Sequence, residues 1–305
     1  MRVSSSQYHT TVNISLQNSN SQLATLMTKM STGNRLVNPS DDPISYVRVS
    51  RLQREEANND QYLSNISALS SRMTQSESML TNINNDLLET RDLLVWALDG
   101  TNTTDDLQAM ATSLASLRDG ILASARTKDQ EGNYLFSGTA TRKETVVFDA
   151  NQPAGQRYSA GGNDKQQIVQ VGNGITQPAN VSLEHMGDWL NDIDLAIETL
   201  QKLQPGETSS MDSVRTVLQK AMATIDTGMD EVSTKISKLG GGQNVIATME
   251  RNLSNMSTAN QMAILDYSQL DYAEAAVQLN TLTAAIKATQ SAYAQVSKLS
   301  LFDAL

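Results

Sequence analysis

The stretch Ile66-Ser67-Ala68-Leu69-Ser70-Ser71-Arg72-Met73-Thr74-Gln75-Ser76-Glu77-Ser78-Met79-Leu80 repeats an apolar residue every seven positions. Extended both ways, the register has Leu52, Asn59, Ile66, Met73, Leu80, Leu87 and Leu94 at a. At d it has Tyr62, Leu69, Ser76, Ile83, Thr90 and Ala97. A strict seven-residue repeat describes a helix with one apolar seam that must be covered by other helices. Neither proline nor glycine interrupts Pro43 to Leu98, so the spacing predicts one long helix.

The same pattern extends outward on both sides. Upstream, a helix is expected over about residues 8–32, with Leu16, Leu23 and Met30 at a and Val12, Ser19 and Leu26 at d. It stops at Gly33, and Pro39 and Pro43 frame a turn in which the Asp42 carboxylate caps the next helix while Pro43 takes its first position. Downstream, Asp99-Gly100 ends the long helix. Thr103 and Thr104 followed by Asp105 and Asp106 start another, with Leu107, Leu114 and Ile121 at a. The short loop implies an antiparallel pair.

Near Gly132 the period changes. Thr145–Phe148, Gln156–Ser159 and Gln167–Val171 read as strands, separated by Pro153-Ala154-Gly155, Gly161-Gly162-Asn163-Asp164 and Gly172-Asn173-Gly174 turns. Helix returns from Leu183 to Leu203, ends at Gln204-Pro205-Gly206 and restarts near Ser210, with Leu218, Ile225, Val232 and Leu239 in register. Gly240-Gly241-Gly242 is expected to break it. A last stretch from Asn244 carries Tyr272, Leu279, Ile286 and Tyr293 at a, and Ala275, Leu282, Thr289 and Val296 at d. The expected fold is mainly α, an elongated antiparallel helical bundle with coiled-coil-like termini and a small β-rich insertion. Its expected divisions are an N-terminal assembly helix and turn (1–42), a helical body in two halves (43–131 and 183–268) around the insertion (132–182), and a C-terminal assembly helix (269–305).

Composition excludes several functions. The chain has 305 residues and a net charge of −10, which opposes nucleic-acid phosphates. It has no cysteine and only two histidines, His9 and His185, so thiolate chemistry is absent and histidine metal clusters or triads have almost nothing to draw on. The Glu184-His185…Asp188 cluster reads as a helix-start surface group, and the Asp41-Asp42 pair as a cap, since no alternating oxygen-ligand loop surrounds it. Arg48, Arg51 and Arg54 lie on one helix face, solvated or ion-paired between subunits. The β segment holds Ser137, Ser159, Asp149, Asp164 and Lys165 without a histidine or a nucleophile elbow. Neither an enzyme nor a cofactor or metal site is expected. No apolar run reaches the roughly 20 residues that span a bilayer. The two ends instead carry complementary seams suited to each other and to neighbouring subunits, an array-building pattern.

The run Leu26-Met27-Thr28-Lys29-Met30-Ser31-Thr32-Gly33-Asn34-Arg35-Leu36-Val37-Asn38-Pro39-Ser40-Asp41-Asp42-Pro43 resembles the N-terminal signature of the bacterial flagellin family. There a leucine heptad leads into a Ser-x-Gly-x-Arg turn and an Asp pair. The end of the chain, Asp271 to Asn280 and on to Leu301-Phe302-Asp303-Ala304-Leu305, is similar to the family's terminal helix. Within the family, Glu131-Gly132-Asn133-Tyr134-Leu135-Phe136-Ser137-Gly138-Thr139 and the Ser300–Asp303 ending are similar to the hook-associated branch, and Pro43-Ile44-Ser45-Tyr46 departs from filament subunits. The resemblance implies a structural axial protein between the hook-associated ring and the flagellin filament. It implies as partners a ring of identical subunits, hook-associated protein 1 below and flagellin above, and an export chaperone on the C-terminal helix. It also implies an extracellular place on the flagellum, reached by flagellar type III export without a cleaved signal. The family's signature turn is Ser31, Gly33, Arg35, Asp41, Asp42 and Pro43. The expected assembly residues are Val12, Leu16, Leu23, Leu26, Met30, Tyr272, Leu279, Leu282, Ile286, Tyr293 and Val296. The alternatives are the filament subunit itself, or a non-flagellar secreted helical tip or adhesin.

Overall fold

A computed structural model of the chain describes residues 2–204 and 211–302. In chain order it contains α1 (Arg2–Thr32), α2 (Pro43–Ala97), α3 (Thr104–Ala125), β1 (Val146–Phe148), β2 (Tyr158–Ala160), β3 (Ile168–Gly172), β4 (Ile175–Pro178), α4 (Met186–Gln201), α5 (Met211–Ser268) and α6 (Tyr272–Phe302). The chain forms two compact units. One comprises Met1–Asn59 with Ser254–Leu305, and the other is Asp60–Leu253, so the divisions fall inside α2 and α5.

The Asp60–Leu253 unit is a four-helix bundle in which neighbouring helices run antiparallel. Between α2 and α3, Gly120 lies against Asp86 and Thr127 against Met79. Between α3 and α4, Arg118 meets Asp194 and Gln108 meets the Leu203 carbonyl. Trp189 packs on Gly228 and His185 reaches Glu231 between α4 and α5. Arg91 meets Asp226 and Gln243 meets Glu77 between α5 and α2, closing the ring of four. In each pair one number rises as the other falls, as an up-down bundle requires. The seam lies inside: Ile66, Leu80, Ile83, Leu87 and Leu94 are buried with Leu114, Ile121, Leu190, Leu218 and Ile225. Each such side chain contributes about 1.5–3 kcal/mol by leaving water.

Helix ends follow the expected chemistry. At α3, Thr103 accepts from the Asp106 amide at 3.2 Å and the Asp106 carboxylate accepts from the Thr103 amide at 3.0 Å, a reciprocal capping box. Two expectations fail. Gly240-Gly241-Gly242 does not break the chain; α5 runs through it. Glycine costs about 1 kcal/mol per residue inside a helix, but the buried residues on either side, Leu239 and Ile246, anchor both turns in the core. Gly242 also lies so near Met73 that a Cβ there would come within 3.0 Å of its Cε. The last helical stretch is also not continuous from Asn244: α5 stops at Ser268 and α6 starts at Tyr272 after a short turn. The expected end and restart around 205–210 lie outside the described residues.

The β segment is two separate antiparallel hairpins, β1–β2 and β3–β4. In the second, Gly172-Asn173-Gly174 is the turn expected, and β4 is a strand the sequence reading missed. The first is held to the bundle by Asn191, whose amide donates to the Tyr158 carbonyl and whose oxygen accepts from the Tyr158 N–H, both at 2.8 Å. Asp194, 3% exposed at its side chain, takes Arg118 at 2.7 Å and Arg157 at 3.0 Å. Arg157 also reaches Glu198 at 3.0 Å. Lys202 and Arg157 hold the Glu198 carboxyl below its usual range.

The entry to this segment is set by Gly138, whose φ is +67°. A Cβ there would sit 2.0 Å from the Asn163 carbonyl oxygen. Gly138→Ala therefore combines left-handed strain with a backbone clash, and a loss of at least about 2 kcal/mol is expected. Urea unfolding of the full chain reads this out; an unchanged midpoint would refute it.

Candidate functional site

The signature turn and the α5–α6 turn interlock in the unit that holds both chain ends. Gly33 leaves α1 with φ +70°. Its carbonyl accepts from Leu270 N–H at 3.0 Å, and the Ser268 carbonyl accepts from Arg35 N–H at 2.7 Å. Asn34 and Gln269 form a bridge between the two backbone segments. The Arg35 guanidinium donates to the Tyr267 carbonyl at 3.0 Å and pairs with Asp42 at 3.3 Å. The Tyr272 hydroxyl donates to the Met30 carbonyl at 3.1 Å. Arg48 lies over the Tyr267 ring, 5.5 Å from its centroid, and donates to its hydroxyl at 3.1 Å.

The Asp pair organises the turn from within. Asp41 accepts from the Val37 and Asn38 amides at 3.1 Å each and pairs with Lys29 at 3.2 Å. Asp42 accepts from the Ser45 amide at 3.1 Å, capping α2, with Pro43 at the first helical position. The Asn38 amide, then Val37 and Lys29, hold the Asp41 carboxyl below its usual 3.8; Ser45 and Arg35 do the same for Asp42. Depressed carboxyl values stabilise the folded turn above 3.8 and withdraw that support as the pH falls through the folded values. The Val37 and Asn38 amide resonances are accordingly expected to shift with a midpoint below 3.8. A midpoint at or above 3.8 would refute the assignment. Ser31, exposed near the end of α1, makes no side-chain bond in this lock.

Beyond the lock, α1 and α6 pair antiparallel, from Met30 beside Tyr272 to His9 against Tyr293 with ring centroids 5.3 Å apart. Leu26 and Ile286 are buried in this pair; Val12, Leu16, Leu23, Met30, Leu279, Leu282 and Tyr293 are half-buried. Tyr272 and Val296 are exposed, 52% and 40%, rather than enclosed by the seam. Tyr272 meets α1 through its hydroxyl instead of its ring face. Exposed Ile14, Met27 and Val277 lie on the same two helices. A groove of about 510 Å³ runs between them, lined by Thr25, Leu26, Lys29, Val277, Thr281 and Leu282 among others.

Sequence reasoning missed His9, Tyr267 and the polar layer of the α2–α5 pair. There Glu56 accepts from Ser257 and Gln261. Asn59 and Asn260 are buried with side-chain Nδ2 groups that have no partner. Asn59 was legible only as the one polar a residue, the position at which a buried amide fixes helix register. His185 caps no amide at α4; its Nδ1 is 3.2 Å from Glu231.

A mainly α chain whose two ends lock together, with small β hairpins inserted in its helical body, is of the flagellin class. The chain belongs to the bacterial flagellin family: residues 3–141 match the bacterial flagellin N-terminal helical region and residues 222–305 match the C-terminal helical region. It is 25% identical over 297 residues to flagellar hook-associated protein 3 of Escherichia coli (strain K12), covering 90% of each chain. It is 24% identical over 318 residues to flagellar hook-associated protein 3 of Salmonella typhimurium, covering 99% of each. A solved structure from Vibrio parahaemolyticus, assigned as a flagellar hook-associated protein, is similar at a TM-score of 0.60 with 28% identity, covering 75% of this chain and 100% of that one.

Proposed function

We propose that this chain is a structural subunit of the bacterial flagellum at the junction between hook and filament. The observation that carries the reading is its similarity, along nearly the whole of both chains, to proteins named flagellar hook-associated protein 3. The α1–α6 pair then serves as the assembly element. It has a thin seam of its own and leaves Ile14, Met27 and Val277 bare for neighbouring copies. In this reading the subunits form a ring, with hook-associated protein 1 on one side and flagellin on the other. The chain reaches that place outside the cell by flagellar export, its C-terminal helix held by a chaperone until then. Among the described residues no helix is long and apolar enough to cross a membrane.

Deleting the gene in its source bacterium tests the reading. Bare hooks by electron microscopy, with unpolymerised flagellin in the medium, are expected. Bare hooks with no flagellin anywhere would make this chain the filament subunit, and intact filaments would refute both.

A further inference from the structure

Two exposed stripes in the end-bearing unit have opposite charge. On α2, Ile44, Val47, Arg51 and Arg54 are all exposed, the first two at 70% and 64%. At 100° per residue they fall within one quarter of the helix circumference. The opposite side of α2 holds buried Val49 and the Glu56 that meets α5. No acidic residue occurs from Pro43 to Arg54, the half-buried Glu55 at the end of the stripe being the first, and Arg51 has no ion-pair partner among the described residues.

On α5, Met262, Leu265 and Asp266 are exposed, the first two at 65% and 58%, with Met262 and Asp266 on the side turned from the α2 contact and Leu265 at its edge. Exposed Asp271 and Glu274 follow across the turn into α6. From Asn252 to Ile286 the sequence contains no Lys, Arg or His. Each helix thus turns its stripe away from the other, which puts an apolar-basic stripe and an apolar-acidic stripe on opposite flanks of one helix pair.

We infer that the occupant of each stripe is the other stripe of a second copy of this chain. Apolar residues flanked by charge of a single sign form an association surface that rejects its own kind and accepts the opposite. Two different, mutually complementary patches on opposite flanks make a heterologous contact, which repeats from subunit to subunit instead of stopping at a pair. The inference rests on the self-assembly part of the functional reading and supplies its lateral contact. Of the α1–α6 pair only the first turn of α6, at Glu274, takes part in it.

Cysteine cross-linking tests this directly, because the chain has no cysteine of its own. Full-length Val47→Cys, Leu265→Cys and the double variant are expressed in the source bacterium lacking its own copy, and the cells are oxidised. The double variant is expected to give a ladder of covalent multimers, and each single variant to remain uncrosslinked. Dimers from a single variant would mean a self-facing contact and overturn the inference. So would attachment of either variant to a different flagellar protein without a ladder, or no product at all. Filaments counted on the same cells score the junction reading separately. A ladder without filaments sustains the contact and sinks the junction. Filaments without a ladder do the reverse.

Charge reversal supplies a second measurement. Arg51→Glu with Arg54→Glu in the double-cysteine chain is expected to cut ladder yield by about tenfold, the effect of roughly 1.4 kcal/mol per contact. Adding Asp266→Lys and Glu274→Lys to the same chain is expected to restore it. A yield unaffected by the first pair, or not restored by the second, overturns the electrostatic part of the inference.

Discussion

Ile286→Asp is expected to leave cells with bare hooks while the helical body melts at its original temperature. Ile286 is one of the few buried apolar residues of the end-bearing unit, 9% exposed on α6. The other seam residues of the α1–α6 pair are mostly half-buried, so little apolar area is available to offset a carboxylate placed among them. An unpaired buried charge costs several kcal/mol, more than a thin two-helix seam supplies. The core cluster of the Asp60–Leu253 unit does not include Ile286, and its stability does not draw on that side chain. Filament counts by electron microscopy and thermal melting by circular dichroism read the two effects separately. Normal filaments on cells expressing the variant would remove α6 from assembly. A lowered melting temperature of the body would show that the loss is one of folding.

Asp194→Ala is expected to have the opposite profile, a large loss of stability in the body. Asp194 is buried and its two oxygens are shared between Arg118 on α3 and Arg157 ahead of β2. Removing it leaves two guanidinium groups, 18% and 28% exposed, without their shared partner. Breaking a buried pair in this way costs about 3–5 kcal/mol. In a unit of this size that is a fall in melting temperature of roughly 6–20 °C. Asp194→Asn, which keeps the shape and some hydrogen bonding, should lose less. A shift under about 2 °C for the alanine variant would show that Asn191 alone holds the first hairpin.

The helices were legible in the sequence because their seams repeat every seven residues and their starts carry chemical markers. Thr103 with Asp106 and Asp42 with Pro43 announce helix starts without reference to anything distant. What was not legible depends on partners far along the chain. Gly240–Gly242 looks like a break by propensity, but buried neighbours carry the helix across it. The α5–α6 turn at 269–271 has no proline or glycine to mark it and exists because Gly33, Asn34 and Arg35 pair with it. β4 is short and ends in a proline, so only its pairing with β3 reveals it. For the site, the family signature marked Gly33, Arg35, Asp41 and Asp42. Tyr267, which receives both Arg35 and Arg48, lies outside that signature.

The bonds that close the lock join residues 232 and 242 positions apart. Such a contact has to wait until nearly all of the chain is free to fold. For a chain synthesised from its first residue onward, the α5–α6 turn is made almost last. A truncated or stalled molecule can acquire its helical body but has nothing against which to set Gly33 and Arg35. The lock therefore acts as a proof of completeness, so that only a chain with both ends present offers a finished surface to its neighbours.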